Sequence, residues 1–377
     1  MKKLLRILFI FSICFFAMEC KKSSQEDVVI GVFTSLTGQT ATFGQSMNNG
    51  IQLAVEEINA DGGVLDKPVR TIVEDNQSKS EEAKTSVIKL IQKDNVVALL
   101  GEVASARSLA AAPVAQKNKV PMLTPASTNP QVTKVGNYIF RSCFVDDYQG
   151  AAMARFAYND LGLRKVAIFY DAKNDYSVGL FEVFKKSFEG LGGKIVIEQS
   201  YFEGDIEFRA PLTAMKALNP DGIYIPGYYT EVGLIARQAR ELGITVPLLG
   251  GDGWDSPKTI EIGGSAVSGS YFSNHYAADD PTPKVQNFIK KYQEKYGQVP
   301  DAMAVLGYDA AYMLADAIKR AGSVDREKIR KALAETKNFD GVSGNITMDE
   351  NRNASKSIVI LKVNGKEVKF HKRLPPA

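Results

Sequence analysis

Short apolar runs and amphipathic stretches alternate along almost the whole chain, and that alternation leaves few folds open to it. Residues 28–34 read as a buried strand. Met47, Ile51, Val55 and Ile58 then recur at helical spacing across 45–59, and Asp61-Gly62-Gly63 ends the helix. A strand at 69–74 precedes a helix at 80–94, expected to be capped by Ser80, with Glu81 and Glu82 at its positive end. A strand at 96–100, a helix at 105–117 and a strand at 120–124 follow. Strands joined through helices predict a parallel sheet covered on both faces.

The pattern then restarts. Helices at 148–160, 178–191, 208–218 and 232–242 alternate with strands at 165–170, 194–201, 222–226 and 247–250. The expected fold class is α/β: two Rossmann-like lobes with parallel sheets flanked by helices, with 140–148 as the first passage between them. The 377 residues are enough for both. Helices at 285–296, 302–321 and 325–335 follow, and the chain closes in a hairpin, 358–363 with 368–370, turning at Asn364-Gly365.

Chemistry concentrates where strands end. The run Val120-Pro121-Met122-Leu123 leads into Thr124-Pro125-Ala126-Ser127-Thr128-Asn129-Pro130, a loop dense in hydroxyls and broken by two prolines. In open α/β sheets ligands sit outside the carboxyl ends of strands, and free N–H and O–H donors there suit a carboxylate. The strand at 96–100 ends in Gly101 and leads to Ser105; the strand at 222–226 leads to Gly227-Tyr228-Tyr229-Thr230-Glu231. Two hydroxyl loops and one acid can hold a zwitterion, donors for its carboxylate and an anion for its ammonium. Turn formation for the hydroxyls and helix-dipole service for Glu231 are the plainer readings.

In this order the motifs resemble the substrate-binding proteins of branched-chain amino acid ABC transporters, the leucine/isoleucine/valine-binding type with the periplasmic binding protein type I fold. The resemblance runs from about Val28 to the C-terminus. It rests on Ile30-Gly31-Val32, Leu36-Thr37-Gly38, Gly44, the stretch from Gly50 to Gly63, and the two loops above. It implies three crossings between lobes, with 27–146 plus 277–355 in lobe 1 and 147–276 plus 356–377 in lobe 2. It further implies that Ser105, Ala126 and Thr128 bind the ligand's carboxylate and amino group, and that Glu231 binds its ammonium. Phe43 and Tyr176 match the aromatic positions flanking the ligand. Trp254 and Asp252, in the glycine-rich loop Gly250–Pro257, are candidates for the side-chain pocket and the amino group. Tyr276, Tyr308 and, more weakly, Phe208 are further aromatics that can approach it; Tyr228 and Tyr229 also suit packing at a strand end.

The N-terminus reads as a leader, residues 1–19. Lys2, Lys3 and Arg6 precede an apolar stretch from Ile7 to Met18, too short to span a bilayer comfortably. Ala17-Met18-Glu19-Cys20 resembles a lipoprotein processing site with Cys20 as the acylated residue, although Glu19 departs from the small residue usual before that cysteine. Residues 20–26 read as a lipid-anchored tether, giving an envelope protein held at the membrane. Cys14 and Cys20 fall in these segments, so Cys143 alone remains in the body and no internal disulfide is expected there. A buried structural thiol suits it.

Two of the three net positive charges belong to the leader, so no basic field remains for nucleic acid. The only histidines are His275 and His371, and no Gly-x-Ser-x-Gly elbow, Walker loop, HExxH or cysteine cluster occurs. The expectation is a monomeric binding protein for an amino acid, serving a permease, with no cofactor, metal or catalysis. Alternatives are a same-fold binder of an amide, urea, aromatic acid or polar amino acid, a receptor or sensor ectodomain, and an envelope hydrolase. A receptor ectodomain would run into a transmembrane helix, whereas this sequence stops at Pro375-Pro376-Ala377.

Overall fold

The computed structural model describes residues 27–375; the leader, the tether and Cys20 lie outside them. Its strands are β1 (Val28–Thr34), β2 (Val69–Asp75), β3 (Ala98–Leu100), β4 (Met122–Thr124), β5 (Ile139–Arg141), β6 (Lys165–Asp171), β7 (Lys194–Tyr201), β8 (Gly222–Tyr224), β9 (Leu248–Gly250), β10 (Tyr271–Asn274), β11 (Phe339–Gly341), β12 (Gly344–Met348), β13 (Ala354–Ser355), β14 (Ile358–Asn364) and β15 (Glu367–Leu374). One sheet runs β2-β1-β3-β4-β5 and is parallel throughout. A second runs β15-β14-β10-β9-β8-β6-β7, parallel from β10 to β7, with β14 and β15 antiparallel at its edge. These sheets and their helices form two lobes of the α/β class. A small third sheet, β11-β12-β13, accompanies the first lobe.

The central strands are apolar throughout because helices cover both faces. Helix Ser80–Gln92 shows how a helix face is chosen: Ala83, Ser86, Val87, Leu90 and Ile91 are buried at helical spacing. Ser80 itself is the first helical residue, and Lys79 occupies the cap position without a side-chain bond, so the capping role expected of Ser80 is not found. Helices Ala41–Ala60 and Ala302–Ala321 pack closely in lobe 1 because Gly50 lacks a side chain: a Cβ there would lie 1.9 Å from the Ala304 carbonyl oxygen. Each lobe keeps its own apolar core, and one cluster continues across the divide, joining Phe43, Val103, Ala104 and Ala126 to Tyr176, Leu180, Tyr228 and Tyr229.

The closing hairpin turns one residue later than the Asn-Gly pair suggests. Asn364 pairs with Glu367, leaving Gly365 and Lys366 as the turn, with Gly365 at φ +63°. The helix from Asp146 ends in a π-turn over Phe156–Asp160. No helix among the described residues is long and apolar enough to cross a membrane.

Candidate functional site between the lobes

Every candidate loop leaves the carboxyl end of a parallel strand. In lobe 1, Ser105 opens helix Ser105–Lys117 after β3, and the loop from Thr124 to Pro130 follows β4. That loop is tied down from within. Ser127 Oγ donates to the carbonyls of Glu102 and Val103 at 2.9 and 3.0 Å, and its amide donates to Thr124 Oγ1 at 3.0 Å. The Asn129 amide donates to Ser105 Oγ at 3.2 Å. Beneath them Arg141, fully buried, donates to the carbonyls of Ser127 and Asn129 at 2.7 Å each. Cys143 lies against the same loop, its thiol donating to the Ser127 carbonyl at 3.4 Å, and burial pushes its pKa up to about 12, so it is inert. Thr128 Oγ1 is different: it is buried with no hydrogen-bond partner among the described residues. Ala126, also buried, presents only a methyl group, which leaves the backbone approachable.

Lobe 2 supplies larger groups. Glu231 lies in the first turn of helix Tyr229–Glu241, after β8, and is 4% exposed. Its carboxylate accepts from the Gly204 amide at 2.9 Å; burial raises its pKa, and that amide opposes the rise. A buried acid with one amide partner retains acceptor capacity for a cation. Tyr176, next to the first residue of helix Asp175–Gly190, stacks on Tyr228 with centroids 5.2 Å apart. Tyr228 and Tyr229 meet the ring of Phe43 from lobe 1 edge-on at 5.6 and 4.7 Å. Tyr201 ends β7, and its hydroxyl is buried without a partner among the described residues. Burial and then Glu231 push its pKa well up, so it stays a neutral donor.

The lobes touch. Tyr229 Oη donates to the Gln39 carbonyl at 2.9 Å, Asn129 Nδ2 donates to the Asp175 carbonyl at 2.7 Å, and Arg107 lies 3.6 Å from Glu203. A cavity of about 340 Å³ remains at the mouth, lined in part by Ala104, Arg107, Asn174, Phe202, Glu203 and Tyr228. The arrangement offers donors and small groups on one wall, an acid and aromatic rings on the other. It fits a small zwitterion with an apolar side chain. Among the described residues no group of three or more His, Cys, Asp or Glu side chains is placed to hold a metal ion.

Phe43, Ala126 and Tyr176 share the cluster that crosses between the lobes, Ser105 and Thr128 belong to the lobe 1 loops beside it, and Glu231 lies two residues after Tyr229, which bonds across to Gln39. Trp254 and Asp252 require correction. Trp254 is 1% exposed within the lobe 2 core, its Nε1 donating to the Ile225 carbonyl at 2.9 Å and its ring flat against Gly250, where a Cβ would lie 2.1 Å away. A large indole with one satisfied N–H gains more from core burial than from a wet cleft wall. Asp252 has both carboxylate oxygens engaged, by Tyr176 Oη at 2.9 Å and His275 Nε2 at 3.0 Å, so it does not stand free for an ammonium. Tyr276, at the passage between the lobes, donates to the Pro300 carbonyl of lobe 1, Tyr308 donates to Glu57 within lobe 1, and Phe208 packs on Phe169 and Tyr201 in lobe 2. Tyr201 and the Gly204 amide were missed. The position of Tyr201 as the last residue of a strand is the signal that could have found it.

Two α/β lobes closing on a cleft at their strand ends define a two-lobed binding protein of the periplasmic type I class. The chain belongs to the periplasmic binding protein family, whose model matches residues 27–367. A leucine binding protein, LivK, from Thermotoga maritima has 47% identity and a TM-score of 0.89, covering 93% of this chain and 99% of its own. The branched-chain amino acid transporter substrate binding protein LivJ from Streptococcus pneumoniae, solved in complex with isoleucine, has 32% identity and a TM-score of 0.89, covering 93% and 100%. Leu/Ile/Val-binding protein homolog 1 of Brucella abortus is 30% identical over 330 residues, 87% of this chain and 88% of its own. A transporter solute binding protein from Rhodopseudomonas palustris, in complex with 3,4-dihydroxybenzoic acid, has 25% identity and a TM-score of 0.85, covering 93% and 98%.

Proposed function

We propose that this protein binds a branched-chain amino acid, leucine, isoleucine or valine, between its lobes and hands it to an ABC permease without chemical change. The carrying observation is the opposition of a donor-rich loop in lobe 1 to a buried, incompletely paired carboxylate in lobe 2, Glu231, with aromatic rings between them. Ser105, Ala126 and Thr128 take the α-carboxylate and share the amino group with Glu231; Phe43 and Tyr176 flank the ligand. Such a ligand touches both lobes at once and so favours the closed form. The lobes are 27–146 plus 277–355 and 147–276 plus 356–377, the protein is a monomer, and acylated Cys20 tethers it outside the cytoplasm.

A thermal-shift screen of residues 21–377 against the twenty amino acids, urea, acetamide and aromatic acids tests this reading, because only binding to the native state raises the midpoint. Selective stabilisation by leucine, isoleucine or valine is expected. An aromatic acid is the second reading, favoured by the Rhodopseudomonas palustris neighbour. It carries no ammonium and would leave Glu231 unpaired; stabilisation by it alone would overturn the role given to Glu231.

A further inference from the structure

His275 sits where the chain leaves β10 for lobe 1: Asn274 ends the strand, and Tyr276 already packs in a lobe 1 cluster. Its ring is fully buried and stacks on Phe144, with centroids 3.8 Å apart and planes at 14°. Phe144 lies between β5 of lobe 1 and helix Asp146–Arg155 of lobe 2. Two passages between the lobes therefore meet in one aromatic stack. From there a line of buried hydrogen bonds leads to the cleft. His275 Nε2 is 3.0 Å from Asp252 Oδ2, Tyr176 Oη donates to Asp252 Oδ1 at 2.9 Å, and the Gly253 amide donates to Tyr176 Oη at 3.0 Å. The Tyr176 ring then stacks on Tyr228, which meets Phe43 of the opposite lobe.

The line is braced from the side. Gln149 Oε1 accepts from the Asp252 amide at 2.9 Å and from Ser273 Oγ at 2.7 Å, while Gln149 Nε2 donates to Asp146 at 3.0 Å. Asp252, Asp146, Arg141 and Lys356, the last between β13 and β14 at the third passage, are the charged groups gathered around it. His275 Nδ1 has no partner among the described residues, so the proton belongs on Nε2, facing Asp252.

We propose that Asp252 and His275 are positioning residues that tie the cleft-facing ring of Tyr176 to the hinge, so that ligand contact and lobe closure are set together. Neither touches the ligand; both act through Tyr176. The ligand half of this proposal rests on the reading of the cleft as the amino acid site. The hinge half does not, since rotation about the passages moves His275 whatever the ligand.

The test uses Tyr176→Phe, Asp252→Ala, their combination, His275→Ala and His275→Gln. Leucine affinity is read by calorimetry, and the interlobe distance by a pair of spin labels with and without leucine. Tyr176→Phe removes one hydroxyl and keeps the ring, so it remains informative if Asp252→Ala folds poorly. Each of these two is expected to weaken leucine binding roughly tenfold, and the pair no more than the stronger single, because both break one line. His275→Gln, whose amide can still donate to Asp252, should recover most of the affinity that His275→Ala loses. In ligand-free protein Tyr176→Phe and Asp252→Ala should each shift the interlobe distances. Multiplicative losses in the double variant, or wild-type affinity in Tyr176→Phe, overturn the ligand half. Unchanged ligand-free distances in both variants overturn the hinge half. If wild-type protein binds no leucine, the reading of the cleft fails separately and the ligand-free distances still decide the hinge.

Discussion

The two walls of the cleft are built on opposite plans. The lobe 1 wall is small, polar and bonded to itself: Ser105, Thr124, Ser127 and Asn129 exchange hydrogen bonds, and Arg141 clamps two of their carbonyls from below. The lobe 2 wall is made of long side chains from three separate strand ends, Tyr176 after β6, Tyr201 at the end of β7, and Tyr228 and Glu231 after β8, held by stacking and by few hydrogen bonds. A self-bonded wall is a fixed template, suited to the part of a ligand that never varies. A wall of rings and one acid offers apolar faces to the variable side chain and a single anion to the ammonium, and it closes on the ligand from the other lobe. Damage to the first wall should therefore appear as lost stability, and damage to the second as lost binding.

Arg141→Ala is the largest test. It strands the carbonyls of Ser127 and Asn129 and leaves a hole under the loop, for an expected loss of about 3–4 kcal/mol in urea unfolding. Wild-type stability in this variant would mean that the lobe 1 wall is not held from below. Glu231→Ala is the counterpart. Affinity should fall by about 2–5 kcal/mol because an ammonium is left buried without its anion. The unfolding midpoint of the ligand-free protein should stay or rise, since a buried carboxylate with one amide partner has gone. A large stability loss here, with affinity intact, would reverse the assignment of the two walls.

The hinge between the walls adds a pH signature. Burial holds His275 down to about 4 from its ordinary 6.5. Above pH 6.5 neither the folded nor the unfolded chain holds this proton. As pH falls from 6.5 to 4 only the unfolded chain takes it up, so this group makes the protein less stable. Burial, and then Asp252, lift Asp146 to about 8 from 3.8; between those values the folded chain alone holds the proton, and falling pH favours folding. The two slopes oppose each other between pH 6.5 and 4. Replacing His275 with Gln removes one of them. From pH 7.5 to 5 the variant should gain about 2 kcal/mol relative to wild type, read from paired urea titrations. Parallel curves would mean that His275 titrates alike in the folded and unfolded chain, and so is not held down by burial.

How much of this was legible follows the same division. Most of the lobe 1 wall lies in one contiguous loop, so its hydroxyl-rich stretch was legible along the chain, whereas the roles given to Ser105, Ala126 and Thr128 rest on the resemblance. Strand and helix order was legible because each has its own period. The lobe 2 wall is assembled from strands far apart in sequence; Tyr201 is marked only by ending a strand, and the Gly204 amide carries no local mark. Asp252 and Trp254 share one glycine-rich loop, yet the indole turned into the core and the carboxylate toward the hinge. Only their partners, the Ile225 carbonyl, His275 and Tyr176, decide those directions. The pairing of β14 with β10 is likewise a tertiary fact, joining residues about ninety positions apart.

The smallest effect is the sharpest test of how the walls communicate. Gly204, whose amide holds Glu231, follows Glu203, whose carboxylate faces Arg107 of lobe 1 at 3.6 Å. Arg107 is itself fixed, donating to Thr40 Oγ1 at 2.9 Å and to the Ser78 carbonyl at 2.8 Å. The pair can form only when the lobes meet, so it contributes to the closed form alone. The Glu203 side chain is 38% exposed, and at that exposure solvent screens the attraction to about 0.2–1 kcal/mol. Glu203→Gln should therefore speed leucine release a few-fold in stopped-flow measurements, with little change in the association rate. The difference from wild type should shrink as salt is raised, because screening weakens the pair that only wild type has. A salt-independent difference would assign the effect to a shifted Gly204 amide. In that case the two walls communicate through the loop that carries Glu231's partner rather than through charge across the cleft.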